Sequence, residues 1–75
     1  MPRNAICLKV PKKQGEKVIA LASKLGLMDK TLSINRDSDF IYLPLLREPT
    51  EVEHGTLNSQ ISFTVESAYF EEQKR

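Results

Sequence analysis

Residues 5–10 alternate in character: Ile6, Leu8 and Val10 fall on one side and Cys7 and Lys9 on the other. That two-residue period is the mark of a half-buried strand, and Pro11 is expected to end it. From Gly15 the period changes: Val18, Leu21, Ala22 and Leu25 recur at the spacing of one helix face, Ile19 widens the stripe, and Gly26 is placed to terminate the helix. Burying such a stripe yields about 1.5–3 kcal/mol per valine or leucine side chain. After the loop through Met28, Leu32 and Ile34 alternate in TLSINR, DSD marks a turn at 37–39, and FIYLPL resumes as a strand, so residues 31–45 read as a β-hairpin. Pro44 places an edge or the end of that strand there.

Thr50, with Glu53 three positions on, has the form of a capping box opening a short helix that Gly55 should cut short. The last pattern, QISFTVESAYF, alternates Ile61, Phe63 and Val65 with Ser62, Thr64 and Glu66, a final strand. The order β-α-β-β-(α)-β predicts an α+β, ferredoxin-like domain with a four-stranded antiparallel or mixed sheet. Its helices would cover one face and leave the other open to solvent or a partner. If Ile41 and Leu43 face the helices, Lys9, Phe40 and Tyr42 share the open face. A lysine beside two aromatic rings can serve as an RNA-stacking platform; it can equally be plain cover for sheet surface.

Seventy-five residues make one domain with a thin stability margin, because a chain this short buries only about 60% of its unfolded surface. The single cysteine, Cys7, excludes an internal disulfide, fits a reducing compartment, and reads as core packing. No apolar run is long enough to cross a bilayer and MPRNAICLKV lacks a signal-peptide core, so a cytoplasmic monomer with no membrane association is expected. The net charge of +1 conceals an uneven distribution. Residues 1–36 hold eight basic residues against two acidic, a balance of +6, and residues 37–75 hold three against eight, a balance of −5. Lys12 and Lys13 sit together at the turn between the first strand and the helix. Such asymmetry is what a polyanion-binding face produces, and it is also what lysines solvated on every side would produce.

Catalytic chemistry is not apparent. His54, the only histidine, follows Glu51 and Glu53 on an exposed turn, and reads as solvated rather than as a metal ligand. No glycine-rich loop has dinucleotide or P-loop spacing. Neither a metal nor a cofactor is therefore expected in this chain, and no catalytic residue is assigned.

Three short motifs, in order, carry a family resemblance: Cys7-Leu8-Lys9 on the strand, Lys12-Lys13-Gln14-Gly15-Glu16 at the turn into the helix, and Tyr42-Leu43-Pro44 on the later strand. Together they resemble the N-terminal domain of archaeal tRNA (guanine-N1)-methyltransferases, which modify the guanosine immediately 3′ of the anticodon. The resemblance covers nearly the whole chain; ISFTVESAYFEEQKR is similar to that domain's last strand and following linker, and EHGTL departs from it where a longer second helix is expected. It implies a recognition domain at residues 1–70 and the start of a charged linker at 71–75. Full-length members use S-adenosylmethionine in a Rossmann-like catalytic domain with an Asn-Pro-Pro or Asn-Leu-Pro motif, and neither occurs in this sequence. The resemblance further implies docking on the tRNA elbow, where D and T loops meet, while the catalytic half works at the anticodon loop. The RNA-binding set expected on this reading is Lys9, Lys12, Lys13, Lys17, Arg36, Tyr42 and Arg47. The alternatives are a free-standing ferredoxin-like regulatory or protein-interaction module, and another small RNA-associated protein.

Overall fold

The strand signalled by Ile6, Leu8 and Val10 runs beyond its alternation on both sides, forming β1 (Arg3–Pro11) in a computed structural model that describes residues 2–73. A 3-10 turn (Lys12–Gln14) leads into α1 (Gly15–Lys24), followed by β2 (Asn35–Arg36), β3 (Phe40–Pro44), α2 (Glu51–Asn58) and β4 (Thr64–Phe70). The strands form one antiparallel sheet in the order β2-β3-β1-β4, the split arrangement expected of a ferredoxin-like domain. No helix among the described residues is long and apolar enough to cross a membrane.

Cross-strand pairs decide which side chains share a face. Leu8 lies opposite Leu43 and Val10 opposite Ile41, and these four, all fully buried, meet Val18 and Ala22 of α1 and Leu57 of α2 in the main core. Gly15 lets α1 come close to β3: a Cβ there would stand 3.1 Å from Ile41 Cδ1. Gly26, with φ +70°, ends α1 in a Schellman arrangement, its N–H donating to the Ser23 carbonyl and that of Leu27 to the Ala22 carbonyl. Pro44 closes β3, its carbonyl accepting from the Asp29 N–H at 3.0 Å while the pairing with β1 passes to the Leu45 N–H, which donates to the Ile6 carbonyl at 2.8 Å.

Three sequence expectations change. The second helix does not stop at Gly55 but continues to Asn58. Thr50 and Glu53 form the capping box, Leu57 anchors the far turn in the core, and Gly55 faces open space. Ile61 and Phe63 pack against the main core as expected, yet they precede β4 instead of lying on it. The third change concerns the face away from the helices, which is not bare along its whole length.

Cys7, Leu32 and Phe70 are fully buried in a second, smaller core on that face, flanked by Ala5, Tyr42 and Ala68. The sheet curls so far that the chain before β2 meets the chain after β4. Ser33 N–H donates to the Glu71 carbonyl at 2.8 Å, Gln73 N–H to the Thr31 carbonyl at 2.8 Å, and Asn35 Nδ2 to the Tyr69 carbonyl at 3.1 Å. Leu32 is thereby drawn over Cys7 instead of pointing into the main core beside Ile34. Residues 71–73 are thus tied to the crossover segment, and residues 74–75 of the expected linker lie outside the described residues.

A polar clasp holds this crossover at its root. Arg3 Nη2 donates to Asp29 Oδ2 at 2.8 Å and to Thr31 Oγ1 at 3.1 Å, while Asp29 Oδ1 accepts from the Thr31 N–H at 2.9 Å and its hydroxyl at 2.6 Å. Asp29 is only 6% exposed. Burial by itself would raise its pKa, but the hydrogen bonds from Thr31 and the charge and hydrogen bond of Arg3 outweigh it and leave the pKa below the ordinary value of 3.8.

Leu43→Ala should cost about 2–5 kcal/mol in urea denaturation, and Phe70→Ala about 3–5 kcal/mol; a small loss for Phe70→Ala alone would show that the second core contributes little. Because the folded-state pKa of Asp29 is depressed, its ionised form stabilises the fold above the unfolded pKa near 3.8 and that contribution disappears as pH falls below it. Asp29→Asn should therefore reduce stability at neutral pH and flatten the acid limb of the stability profile, as measured by thermal melts from pH 7 to pH 3.

Candidate nucleic-acid interface

Lys9 is the residue around which the open half of the helix-free face is organised. Its partner across β1 and β3 is Tyr42, and the next pair in register, Pro11 with Phe40, brings a second ring to the same side. Lys9 Nζ stands 4.4 Å from the Phe40 ring centroid and 5.8 Å from that of Tyr42, distances at which an ammonium is attracted to the ring faces. Lys9, Phe40 and Tyr42 are each half-buried. Their stems and rings are thus fixed by packing while part of each remains accessible.

Lys12 and Lys13 occupy the exposed 3-10 turn at the end of β1, and Lys17 the exposed side of the first turns of α1. The turn is fixed from two sides. Lys12 N–H donates to the Asp39 carbonyl at 2.9 Å, and the Gln14 Oε1 accepts from the Ser62 N–H at 3.0 Å. The first bond sets Lys12 beside the turn that carries Asp37 and Asp39, so two carboxylates border the basic corner. Charge counted by halves of the chain hides this proximity; the antiparallel pairing of Pro11 with Phe40 contains it, because the residues just beyond that pair must be neighbours.

The remaining two expected site residues are elsewhere. Arg36 pairs with Ile41, whose side chain enters the main core, so Arg36 leaves the sheet on the helix side, opposite to Lys9 and Tyr42. Arg47 follows the far end of β3 and is already engaged. Its Nη1 and Nη2 donate to Glu53 Oε1 and Oε2 at 2.7 and 2.9 Å, and Glu53 also accepts from the Thr50 N–H. Hydrogen bonding from Arg47, then from the Thr50 backbone, holds the Glu53 carboxyl down to about 2 from an ordinary 4.5. Lys9 and Tyr42 thus share the helix-free face, Lys12 and Lys13 lie on the turn at the end of β1, Lys17 lies beyond them on α1 across the sheet, and Arg36 and Arg47 stand apart.

Phe40, expected on this face but left out of the RNA-binding set, belongs with the cluster through its contact with Lys9. So do Phe63, Thr64 and Glu66, which line the same groove as Lys9 and Phe40. Phe63 also meets the His54 ring, with centroids 4.8 Å apart. The alternation in ISFTVES carried Thr64 and Glu66 onto one face; only the β1–β4 register puts that face beside Lys9.

This arrangement has counterparts among known proteins. Residues 7–53 match the tRNA methyltransferase 5 N-terminal domain. The chain belongs to that family. The matched span contains the strand, basic turn and Tyr-Leu-Pro strand that carry Lys9, Lys12, Lys13 and Tyr42. Among solved structures, the tRNA m1G37 methyltransferase of Methanocaldococcus jannaschii superposes with a TM-score of 0.79 at 28% identity, over 91% of this chain and 21% of that one. Trm5b from Pyrococcus abyssi gives 0.73 at 28% identity, over 95% and 18%. An aTrm5 solved in complex with tRNALeu gives 0.67 at 29% identity, over 79% and 17%. The chain spans about a fifth of the length of these tRNA methyltransferase structures. No curated protein sequence matches it.

For the family's N-terminal domain as it occurs here, the position of Arg47 has a consequence that titration reads directly. The Glu53 carboxylate stabilises the start of α2 above its unfolded pKa of about 4.5, and this support is lost as pH falls through about 2. In Arg47→Met the Glu53 carboxyl carbon should titrate in NMR well above pH 2, and the amide of Thr50 should shift with it.

Proposed function

We propose that this chain is the tRNA-recognition domain of an S-adenosylmethionine-dependent tRNA (guanine-N1)-methyltransferase, occupying residues 1–70, with 71–75 leading toward a catalytic domain. The carrying observation is the convergence of Lys9, Phe40 and Tyr42 on one accessible patch next to the Lys12-Lys13 turn, in a chain of a family with a member solved bound to tRNALeu. In this reading Lys9, Lys12, Lys13 and Lys17 neutralise backbone phosphates. Tyr42, with Phe40, supplies the flat apolar surface that RNA tertiary structure exposes at the elbow, where stacked bases end without a neighbour. Arg36 reaches a phosphate from the sheet edge, and Arg47 serves chiefly to fix α2.

The catalytic steps belong to the remainder of such an enzyme. The three glycines of this chain, Gly15, Gly26 and Gly55, open a helix, end a helix and lie within a helix. The chain's contribution is positional: it raises the local concentration of correctly shaped tRNA and sets the distance from elbow to anticodon. It acts as a cytoplasmic monomer in this role.

Binding of intact tRNA by the 75-residue chain should fall with salt, and contact with about three phosphates gives a log-log slope of about −2 to −3. Lys12→Ala with Lys13→Ala should reduce that slope by about 1–2. A minimal anticodon stem-loop, which has no elbow, should bind at least tenfold more weakly in the same fluorescence-anisotropy titration. Equal binding of both RNAs, or binding insensitive to salt between about 50 and 200 mM, would sink the elbow reading.

A further inference from the structure

Next to the Lys9–Phe40–Tyr42 patch, the helix-free face falls into a solvent-open groove of about 360 Å³. Pro11, Phe40 and Phe63 give it apolar surface, and Lys9 and Glu66 stand on it with opposite charges. Their placement follows from register: Lys9 lies opposite Thr64 on β4, and Glu66 is the next residue of β4 on that face, a diagonal neighbour of Lys9 within reach of the same small molecule. Among the described residues Lys9 and Glu66 form no ion pair with each other or with any third group. Lys9 Nζ is directed over the Phe40 ring, and Glu66 Oε2 accepts from the Thr64 hydroxyl at 3.1 Å. The Glu66 charge also reaches Cys7 beneath it. Burial first, and then that charge, push the Cys7 thiol pKa up.

A groove this size lies at the small end of ligand sites, which run from about 300 to 1,000 Å³. Its chemistry is narrower than its volume. An aromatic lining selects a flat ring, and adjacent cation and anion select a ring whose edge shows acceptors beside donors. Among the RNA bases guanine fits best: O6 and N7 accept, and N1–H and N2–H next to O6 donate. Adenine sets N7 beside its N6 amino group but offers the carboxylate one N–H and the cation one acceptor where guanine offers two of each, and its N1 lone pair would repel the carboxylate. Uracil offers one N–H between two carbonyls, and cytosine offers only its amino group. The donor edge of guanine is occupied when it pairs with cytosine, so the base must be unpaired.

We propose that this groove holds a single unpaired guanine of an RNA strand, its ring against Phe40 and Phe63, O6 and N7 toward Lys9, and N1–H and N2–H toward Glu66. The ligand class rests on the RNA-binding reading above, but the site differs from a flat stacking surface because it reads a base edge. It makes the domain selective for an accessible guanine where the lysine corner is selective only for charge.

The test is a titration of the ¹⁵N-labelled 75-residue chain with the RNA pentamers UUGUU, UUAUU and UUUUU, and with free guanosine 5′-monophosphate. UUGUU should shift the amides of Lys9, Phe40, Phe63, Thr64 and Glu66 and bind about tenfold more tightly than UUAUU. Glu66→Gln, an exposed position whose fold is checked from the same spectra, should bring the two pentamers within about twofold. Equal affinity for all three pentamers, or shifts confined to residues 12–17, would overturn the guanine groove while leaving intact-tRNA binding as a separate measurement. Guanine preference without tRNA binding would support the groove and overturn the elbow reading. Free guanosine monophosphate binding as tightly as UUGUU would overturn an RNA strand as the source.

Discussion

The register of β1 against its two neighbours is the constraint on which the molecule depends. With Leu8 opposite Leu43 and Val10 opposite Ile41, the apolar residues of the central strands point together toward α1 and α2. A slip of one residue would send Leu8 and Val10 to the helix-free face and drive the Lys9 ammonium into the main core. Burying that charge without a partner costs far more than the strand pairing returns. The same register that makes the core therefore sets Lys9 among Phe40, Tyr42, Thr64 and Glu66.

β1 divides into two halves by what covers its outer face. Around Cys7 the crossover before β2 and the chain after β4 meet and enclose Leu32 and Phe70. A chain of 75 residues has little core to spare, and two short helices cover only one side of the sheet, so the second cluster adds stability that a bare face would forgo. Farther along the strand no described segment crosses, and there the lysine, the rings and the groove are accessible. The Arg3–Asp29–Thr31 clasp stands at the closed end. The second core and the accessible patch thus share one sheet face, with Tyr42 at the boundary between them.

The electrostatics follow the same division. Arg3 and Arg47, both long cations with geometry suited to phosphate, are held by Asp29 and Glu53 in structural bonds. The lysines of the basic corner have no such partner among the described residues, although the Asp37–Asp39 turn borders them and weakens their field. Charges bordered in this way act at close range rather than from afar. Membership of the tRNA methyltransferase 5 N-terminal domain family is consistent with that distribution.

Much of this was legible in the chain itself. The alternation of Ile6, Leu8 and Val10, the helical stripe of Val18, Leu21, Ala22 and Leu25, the Gly26 stop and the Thr50–Glu53 box all depend on contacts within a few residues, and local pattern records such contacts faithfully. Order of elements then led to the correct sheet, and parity alone placed Lys9, Phe40 and Tyr42 on a common face. What sequence could not contain were contacts set by curvature and register between distant segments. Nothing near Leu32 announces that it will cover Cys7 and Phe70, because sheet curl, not local alternation, brings those three together. Arg36 and Arg47 have the same charge as Lys12 in a count, yet β2 pairing turns one to the helix side and Glu53 captures the other. Glu66 reads as an ordinary solvent-facing position of an edge strand until β4 is laid against β1; only that pairing, between residues some sixty positions apart, sets a carboxylate beside Lys9 at an aromatic groove.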